Sequence, residues 1–439
     1  MQFRSESFLF LNKSSISIFL VSIMFVFSSS LYAADEKQVW LLDKAISAAT
    51  AVNPDYMAAH VNAEALAISP DIVGTLPDPQ FSINMLNLPV DSFSLSQEGM
   101  TQLQLGLTQQ LPFPGKLSLR SQVARHEADV SEAHFLQAQL KLVRDVKTTW
   151  WSLFYLDRTL DVIKRNQNLL AQIVNVAETR YQVGKGLQQD ILLAQLEVSK
   201  LRDKSIRFKR ERKNTQIHFN VLLNRPTNTT VHLPETVDET LTNIKSYKQL
   251  LQLNEKTHPV MKSQLSRIEA ATSRVSLAKK GYAPDFKLGA VYGLRSGDNI
   301  DNSQRADFAS IMLSMNLPLY ANKKQARIVD QRKSELLKQS YLLADYRNRV
   351  TADISQAISD YQFGVNQTKL FKEEIVPQAR QTVDSMLAGY QSDKVDFLSL
   401  IRSQTMLYDY ETQYWKALSA ANQAMARLVA AVGEENIHE

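Results

Sequence analysis

Hydrophobic and polar residues alternate in four short stretches of the chain, more weakly in the first and third than in the second and fourth. Phe81, Ile83 and Met85 alternate with Ser82, Asn84 and Leu86, and Leu103, Leu105 and Leu107 with Gln102, Gln104, Gly106 and Thr108. Farther on, Phe286, Leu288, Ala290, Tyr292 and Leu294 form one apolar file. Ala309, Ile311, Leu313, Met315 and Leu317 form another, interleaved with Ser310, Ser314 and Asn316. A period of two belongs to a β-strand with unlike faces. Each stretch is about ten residues, the length a tilted strand needs to cross a bilayer. A soluble antiparallel sheet with one buried face alternates in the same way. The polar file separates the two: it is mostly Gln, Thr, Ser and Asn with few charges, as suits the lining of a wet lumen. The loops at 89–100 and 295–304 are polar and expected to face outside. Four strands cannot close a barrel in lipid, where every backbone N–H and C=O needs a partner. The chain is therefore expected to share a barrel with copies of itself, and three copies give about twelve strands, an even number within the known range.

After each strand pair the period changes from two to that of a helix. Residues 117–182 contain neither proline nor glycine, and at about 1.5 Å per residue such a run approaches 100 Å. Leu142, Val146, Thr149, Leu153, Leu156, Leu160, Ile163, Gln167, Leu170, Val174 and Ala177 keep a four-three spacing, the heptad of a coiled coil. Val350, Ile354, Ala357, Tyr361, Gly364, Thr368, Phe371 and Ile375 repeat it, with a kink expected at Pro377. Turns are expected at Val183, Gly184, Lys185 and Gly186 and at Ser392, Asp393 and Lys394, with return helices over about 187–223 and 396–432. Apolar Trp150, Phe154, Val162, Leu169 and Ile173 lie off the seam, so these helices should form a curved wall with neighbours on several sides. Shorter helices over about 41–67 and 247–280 are expected to make a belt around the wall with the segment 225–246.

The chain also repeats itself. Tyr181-Gln182 and Gln195 return 209 residues later as Tyr390-Gln391 and Gln404. Leu111-Pro112-Phe113 with Lys116 is echoed by Leu317-Pro318-Leu319 with Lys323, and Pro79 and Phe81 by Pro284 and Phe286. The fold class expected is α+β and membrane-bound: four barrel strands per subunit contributing to a 12-stranded trimeric β-barrel, plus an α-helical coiled-coil barrel of two hairpins in an internally duplicated chain. Residues 34–235 form the first repeat and 236–439 the second. Residues 1–33 have the make-up of a secretion signal peptide: Arg4 and Lys13, an apolar stretch over 16–27, then Leu31-Tyr32-Ala33. An uncleaved membrane anchor is the alternative reading. No cysteine follows the cut, so a lipid anchor there is not expected.

Composition narrows the function. The 439 residues are 44% hydrophobic, enough for a large core, and include no cysteine, so disulfides and thiolate metal sites are absent. A net charge of +5, without a basic patch interleaved with aromatics, argues against nucleic acid. None of the 7 histidines forms a pair at helical metal-binding spacing, and no serine sits in Gly-x-Ser-x-Gly. Pro114-Gly115-Lys116 reads as a strand-to-helix turn, and Met312 and Met315 point to opposite faces of one strand. No enzyme activity and no cofactor are expected.

These features together resemble the TolC family of outer-membrane efflux ducts, over about residues 38–433. Residues 76–116, with Leu76-Pro77-Asp78-Pro79 and Gln110-Leu111-Pro112-Phe113-Pro114-Gly115-Lys116, look most like its heavy-metal (cobalt-zinc-cadmium type) branch, as do Gly389-Tyr390-Gln391 and Val395-Asp396-Phe397-Leu398. The resemblance implies a homotrimer in the cell outer membrane, in contact with its lipid and extending into the periplasm. It implies docking through the hairpin tips to a periplasmic adaptor (membrane fusion) protein and an inner-membrane resistance-nodulation-division pump, passively conducting substrate, metal cations above all, to the exterior. Some members carry two mouth-narrowing aspartates on the second return helix. Those positions look like Ser399 and Arg402 here, and their first-half equivalents are Asp190 and Leu193, so an aspartate gate is in doubt. Asp190, Asp393 and Asp396 still place negative charge near the tunnel mouth, although Asp396 also suits a helix cap. An inner-membrane-anchored periplasmic coiled-coil adaptor or structural protein is the alternative, and the amphipathic strands tell against it.

Overall fold

The computed structural model describes residues 39–438, so the signal-peptide expectation for residues 1–33 lies outside the described residues. Three short helices, α1 (Leu42–Val52), α2 (Pro54–Ala67) and α3 (Ser69–Gly74), lead into β1 (Gln80–Leu86) and β2 (Gln102–Leu111). The first hairpin follows, α4 (Lys116–Gln182) returning as α5 (Gln188–Leu222). The second half repeats this order with α6 (Tyr247–Thr257), α7 (Pro259–Lys280), β3 (Phe286–Leu294) and β4 (Phe308–Met315). Its long arm is α8 (Gln325–Leu370), a π-helical turn at Phe371–Ile375 and α9 (Val376–Gln391), and it returns as α10 (Phe397–Val432). The 67-residue α4 has no interior breaker and spans about 100 Å.

The strands form one antiparallel sheet in chain order, β1-β2-β3-β4. Pairing Phe81 with Leu107, Ala290 with Leu107 and Ala290 with Ile311 runs one apolar row across all four. That row is bare: Phe81 is 65% exposed, Leu107 54% and Ile311 85%. The opposite face is mostly polar and is crowded at the glycines of β2 and β3. A Cβ on Gly106 would come within 2.6 Å of Ser82 Oγ, and one on Gly289 within 2.9 Å of Thr108 Cγ2. Soluble sheets bury the apolar face; this one offers it outward. Among the described residues no helix is long and apolar enough to cross a membrane.

The pairing also corrects the match between the halves. Leu107 in β2 answers Leu313 in β4, 206 residues on, and their partners Phe81 and Leu288 then answer each other. Pro77-Asp78, not Pro79, is thus the counterpart of Pro284-Asp285. The two-residue correction leaves the alternation of faces unchanged.

Helix packing is broader than a single seam. Leu142, Val146, Leu153, Leu156, Ile163, Leu170 and Ala177 of the heptad are buried, but so are Trp150, Phe154, Val162 and Ile173, while Leu160, Gln167 and Val174 are only half-buried. The cause is α4's position, with α5 along one side and α10 along the other. The connecting segment expected in the belt is tied to both ends of the described chain. Residues 39–40 and 244 pair with His232 and His438, and Trp150 Nε1 donates to the Trp40 carbonyl at 2.8 Å. By contrast α7 packs lengthwise against α4 and α8, a member of the wall rather than a band around it, and Pro54 and Pro259 break each short helical tract into pieces.

Pro377 acts differently from a simple kink. It has no N–H for the carbonyl of Glu373, and the turn before it widens, so that Val376 N–H reaches back five residues to the Phe371 carbonyl. Upstream, α8 approaches α10 closely at Gly364, where an added Cβ would lie 2.9 Å from both Cα and Cβ of Ala421. Because backbone atoms block that space, Gly364→Val is expected to destabilise the protein by about 1–3 kcal/mol, read as a lower thermal unfolding midpoint in detergent.

Candidate functional site

Both hairpins turn at the same end of the molecule, and they turn alike. Val183, Gly184 and Lys185 donate backbone N–H bonds to the carbonyls of Thr179, Tyr181 and Arg180. Ser392, Asp393 and Lys394 donate to Ala388, Tyr390 and Gly389, the same set 209 residues later. Each helix end is a Schellman-type closure that needs one left-handed residue. Gly184 supplies it at φ 74° and Asp393 at φ 62°. Aspartate is among the few side chains that accept that conformation, and here it gains a partner for doing so.

That partner is Arg180. Its guanidinium donates to the carbonyls of Tyr390 at 2.6 Å, Gln391 at 3.4 Å and Lys185 at 3.1 Å. It also pairs with the Asp393 carboxylate and lies over the Tyr390 ring, 4.7 Å from the centroid. One planar cation with five donors thus ties the first tip to the second, and the fixed fork lets it bind several acceptors at once. In the other half position 180 corresponds to Gly389, so the clasp is built once per chain.

Below the clasp Asp190 and Asp396 line one groove between the return helices, with Lys185, Leu187, Leu193 and Phe397. Their surroundings differ. Burial pushes the Asp190 carboxyl above the usual aspartate range, and the Asp396 charge adds to the shift while Arg180 opposes it. Burial raises Tyr390 as well, and the neighbouring Asp190 carboxylate adds to it. Hydrogen bonds from Ser399 hold the Asp396 carboxyl below its usual range. The Ser399 N–H reaches Asp396 Oδ1 at 2.9 Å and its hydroxyl Oδ2 at 2.7 Å, so Asp396 is the N-cap of α10. Ser399 is engaged in that cap, and Arg402 is exposed on the next turn.

The expected site residues are therefore brought to one end. Val183, Gly184, Lys185, Ser392, Asp393 and Lys394 form the exposed tips, with half-buried Gly186 closing the first turn. Sequence reasoning missed Arg180. The signal for it was the mismatch between an arginine and a glycine at equivalent places in an otherwise faithful repeat. Among the described residues no group of three or more His, Cys, Asp or Glu side chains is placed to hold a metal ion. The arrangement suits a mechanical junction with negative charge beside it.

Comparison with known proteins follows the same line. The sequence profile described as "Outer membrane efflux protein" matches residues 45–225 and 250–434. Direct comparison with curated proteins gives no match. Among solved structures the fold is similar to the outer-membrane channel OprN, with 15% identity over 89% of this chain and 89% of that one and a TM-score of 0.76. The outer membrane protein VceC from Vibrio cholerae is 17% identical over 90% of this chain and 96% of its own, with a TM-score of 0.74. CusC is 15% identical over 92% and 96%, with a TM-score of 0.75.

Two outcomes test the clasp. Arg180→Ala removes its carbonyl bonds and ion pair at once and should speed amide hydrogen exchange at residues 183–187 and 391–395 by roughly tenfold. The raised Asp190 carboxyl has a definite sign: its proton is held more tightly in the folded tips than in an unfolded chain. The groove should gain stability as pH falls through the interval between the ordinary aspartate value and the raised one, and lose it as pH rises. Protection factors at residues 188–193 should therefore be larger at mildly acid than at neutral pH, and Asp190→Asn should abolish the difference.

Proposed function

The chain belongs to the outer membrane efflux protein family, and from that premise we propose that three copies of it form the outer-membrane duct of a tripartite efflux system. The single observation that carries this reading is the sheet. Its apolar face is bare, and β1 and β4 each pair on one side only among the described residues. In lipid such edges must be paired, and sister copies supply the missing strands of a 12-stranded barrel. The helical hairpins continue that barrel into the periplasm as a tunnel.

A protein of this family moves cargo and performs no chemistry on it. The energy for transport comes from an inner-membrane resistance-nodulation-division pump, reached through a periplasmic adaptor that docks at the exposed tips around Val183–Gly186 and Ser392–Lys394. Opening of the mouth separates the tips, and Arg180, bridging both, is the contact that must yield. Metal cations are the cargo we propose. The support is the likeness of residues 76–116 and 389–398 to the heavy-metal branch, together with Asp190 and Asp396 beside the mouth, where several copies multiply the field. Residues 1–33 act as the secretion signal. An inner-membrane-anchored adaptor has no use for an outward apolar sheet, and the family assignment sets that alternative aside.

Fractionation and a deletion strain test this. The protein should enter the outer-membrane fraction as a heat-resistant trimer, and its loss should lower tolerance to zinc, cobalt, cadmium or copper. Unchanged metal tolerance with increased dye or detergent sensitivity would remove metals as cargo and keep the duct. Proline fixes φ near −65°, whereas Gly184 sits at φ 74°. Gly184→Pro should therefore preserve the trimer while abolishing export, and full export by that variant would argue against docking at the tips.

A further inference from the structure

In each half of the chain the end of a return helix meets the break between two short helices. In the first half α5 ends at Leu222 beside the break between α1 and α2, and in the second α10 ends at Val432 beside the break between α6 and α7. A buried residue before a proline sits at both joints, Asn53 before Pro54 and His258 before Pro259. Each is the N-cap of the helix that its proline opens.

The two residues make the same pair of connections with different chemistry. Asn53 Oδ1 accepts the Tyr56 N–H at 3.1 Å, and Asn53 Nδ2 donates to the Leu222 carbonyl at 3.0 Å. One side chain thus starts α2 and ties it to the end of α5. His258 does this with a ring. Its Nδ1 lies 3.2 Å from Val260 N and 2.9 Å from the Tyr346 hydroxyl, and its Nε2 lies 3.2 Å from the Ala430 carbonyl. A backbone N–H can only donate, so Nδ1 is the acceptor and the proton of the neutral ring is on Nε2. The ring has little room on one side: a Cβ on Gly433, the left-handed residue that ends α10, would come within 2.7 Å of His258 Cδ2.

An amide keeps its donors and its acceptor at any ordinary pH, whereas imidazole trades its acceptor for a second donor when protonated. A proton on Nδ1 would face the Val260 N–H, donor against donor, and the cap would be lost. Burial favours the neutral ring and holds His258 below the usual histidine range, with the bond to Ala430 opposing. A cavity of about 540 Å³ lies beside the ring and gathers the charges that face it. Arg144 reaches it from α4, Arg427 from α10, and Tyr346, Arg349, Asp353 and Asp360 from α8. Arg144 pairs with Asp145, Arg349 with Asp345 and Arg427 with Asp360, so Asp353 is the acid left to meet an imidazolium. On α6 Glu255 pairs with Arg347 at 3.5 Å, on α7 Lys262 is exposed, and Glu434 follows Gly433 in the chain.

We propose that His258 is a proton-sensitive fastener between α10 and α7, closed while its imidazole is neutral and released when Nδ1 is protonated, whereas Asn53 holds the equivalent joint of the first half regardless of pH. Release frees the C-terminal end of α10, the helix whose first turn carries Asp396 at the tips. The second hairpin therefore loosens in acid while the first does not. The sign follows from the lowered histidine: the unfolded chain binds the proton more readily than the folded joint. The joint is at full strength above the ordinary histidine value of about 6.5 and weakens as pH falls from there towards the lowered one.

Hydrogen exchange of the whole protein in detergent tests this, at about pH 7.5 and about pH 5, with rates corrected for the intrinsic effect of pH. Protection at residues 260–263 and 430–433 should fall by roughly tenfold at the lower pH, and protection at residues 56–59 should not change. His258→Asn copies the first joint and should remove the pH dependence, while Tyr346→Phe, which leaves the imidazole in place, should keep it. The converse variant Asn53→His should make residues 56–59 acid-sensitive, and it decides the matter if His258→Asn does not fold. Equal protection at the two pH values in the unaltered protein overturns the proposal, as does an acid response that survives His258→Asn or one that the first joint shares. The readout needs neither cargo nor partner, so its failure leaves the duct reading untouched.

Discussion

An unpaired strand edge in hydrocarbon is the constraint from which the rest of the architecture follows. A backbone N–H or C=O exposed to lipid has no water to turn to, and each costs several kcal/mol. Four strands of 7, 10, 9 and 8 residues cannot curl far enough to meet. Their apolar outer rows also exclude a soluble resting place, since several side chains on that face are more than half exposed. The closure through other copies proposed above would satisfy both demands at once and impose a geometry on everything attached. Each strand pair feeds a long helix, so a ring of strands fixes a ring of helices beneath it.

The helical wall meets a different demand, to be long and curved without breaking. The proline-free, glycine-free α4 does this with a wide buried face of Trp150, Trp151, Phe154 and Leu153 that packs on more than one neighbour. Its repeat-mate takes another route. There Pro377 withdraws a donor and the backbone widens into a π turn at Phe371–Ile375, so the second arm contains a built-in irregularity that the first lacks. Gly364 lets this arm come close to Ala421 farther up. Two halves of common design have thus diverged where their helices must bend or approach.

At the tips the divergence brings the two halves into contact. Both turns share a set of backbone bonds, yet one uses Gly184 and the other Asp393 for the left-handed residue. The aspartate tolerates a less comfortable backbone and in return meets Arg180, whose fork also takes the carbonyls of Tyr390 and Lys185. A symmetric duplicate has no clasp of this kind; substituting one residue in each turn creates it. The neighbouring acids are handled separately, Asp396 as a helix cap and Asp190 as a partly desolvated carboxyl.

The alternation at Leu103–Leu107 and Ile311–Met315, the heptad from Leu142 to Ala177 and the 209-residue echo are local or periodic signals. They alone determined the strands, the long helices, the hairpins and the duplicated plan, because period two and period 3.6 arise from the backbone itself. The N-cap at Asp396 was legible for the same reason. What lay beyond them depends on residues far apart in the chain. The strand register, the enrolment of α7 in the wall, the π turn that absorbs Pro377 and the reach of Arg180 to residues 390–393 were decided by packing in three dimensions. A side chain's partner across some 210 positions leaves no trace in periodicity; only folding brings the two within a hydrogen bond of each other.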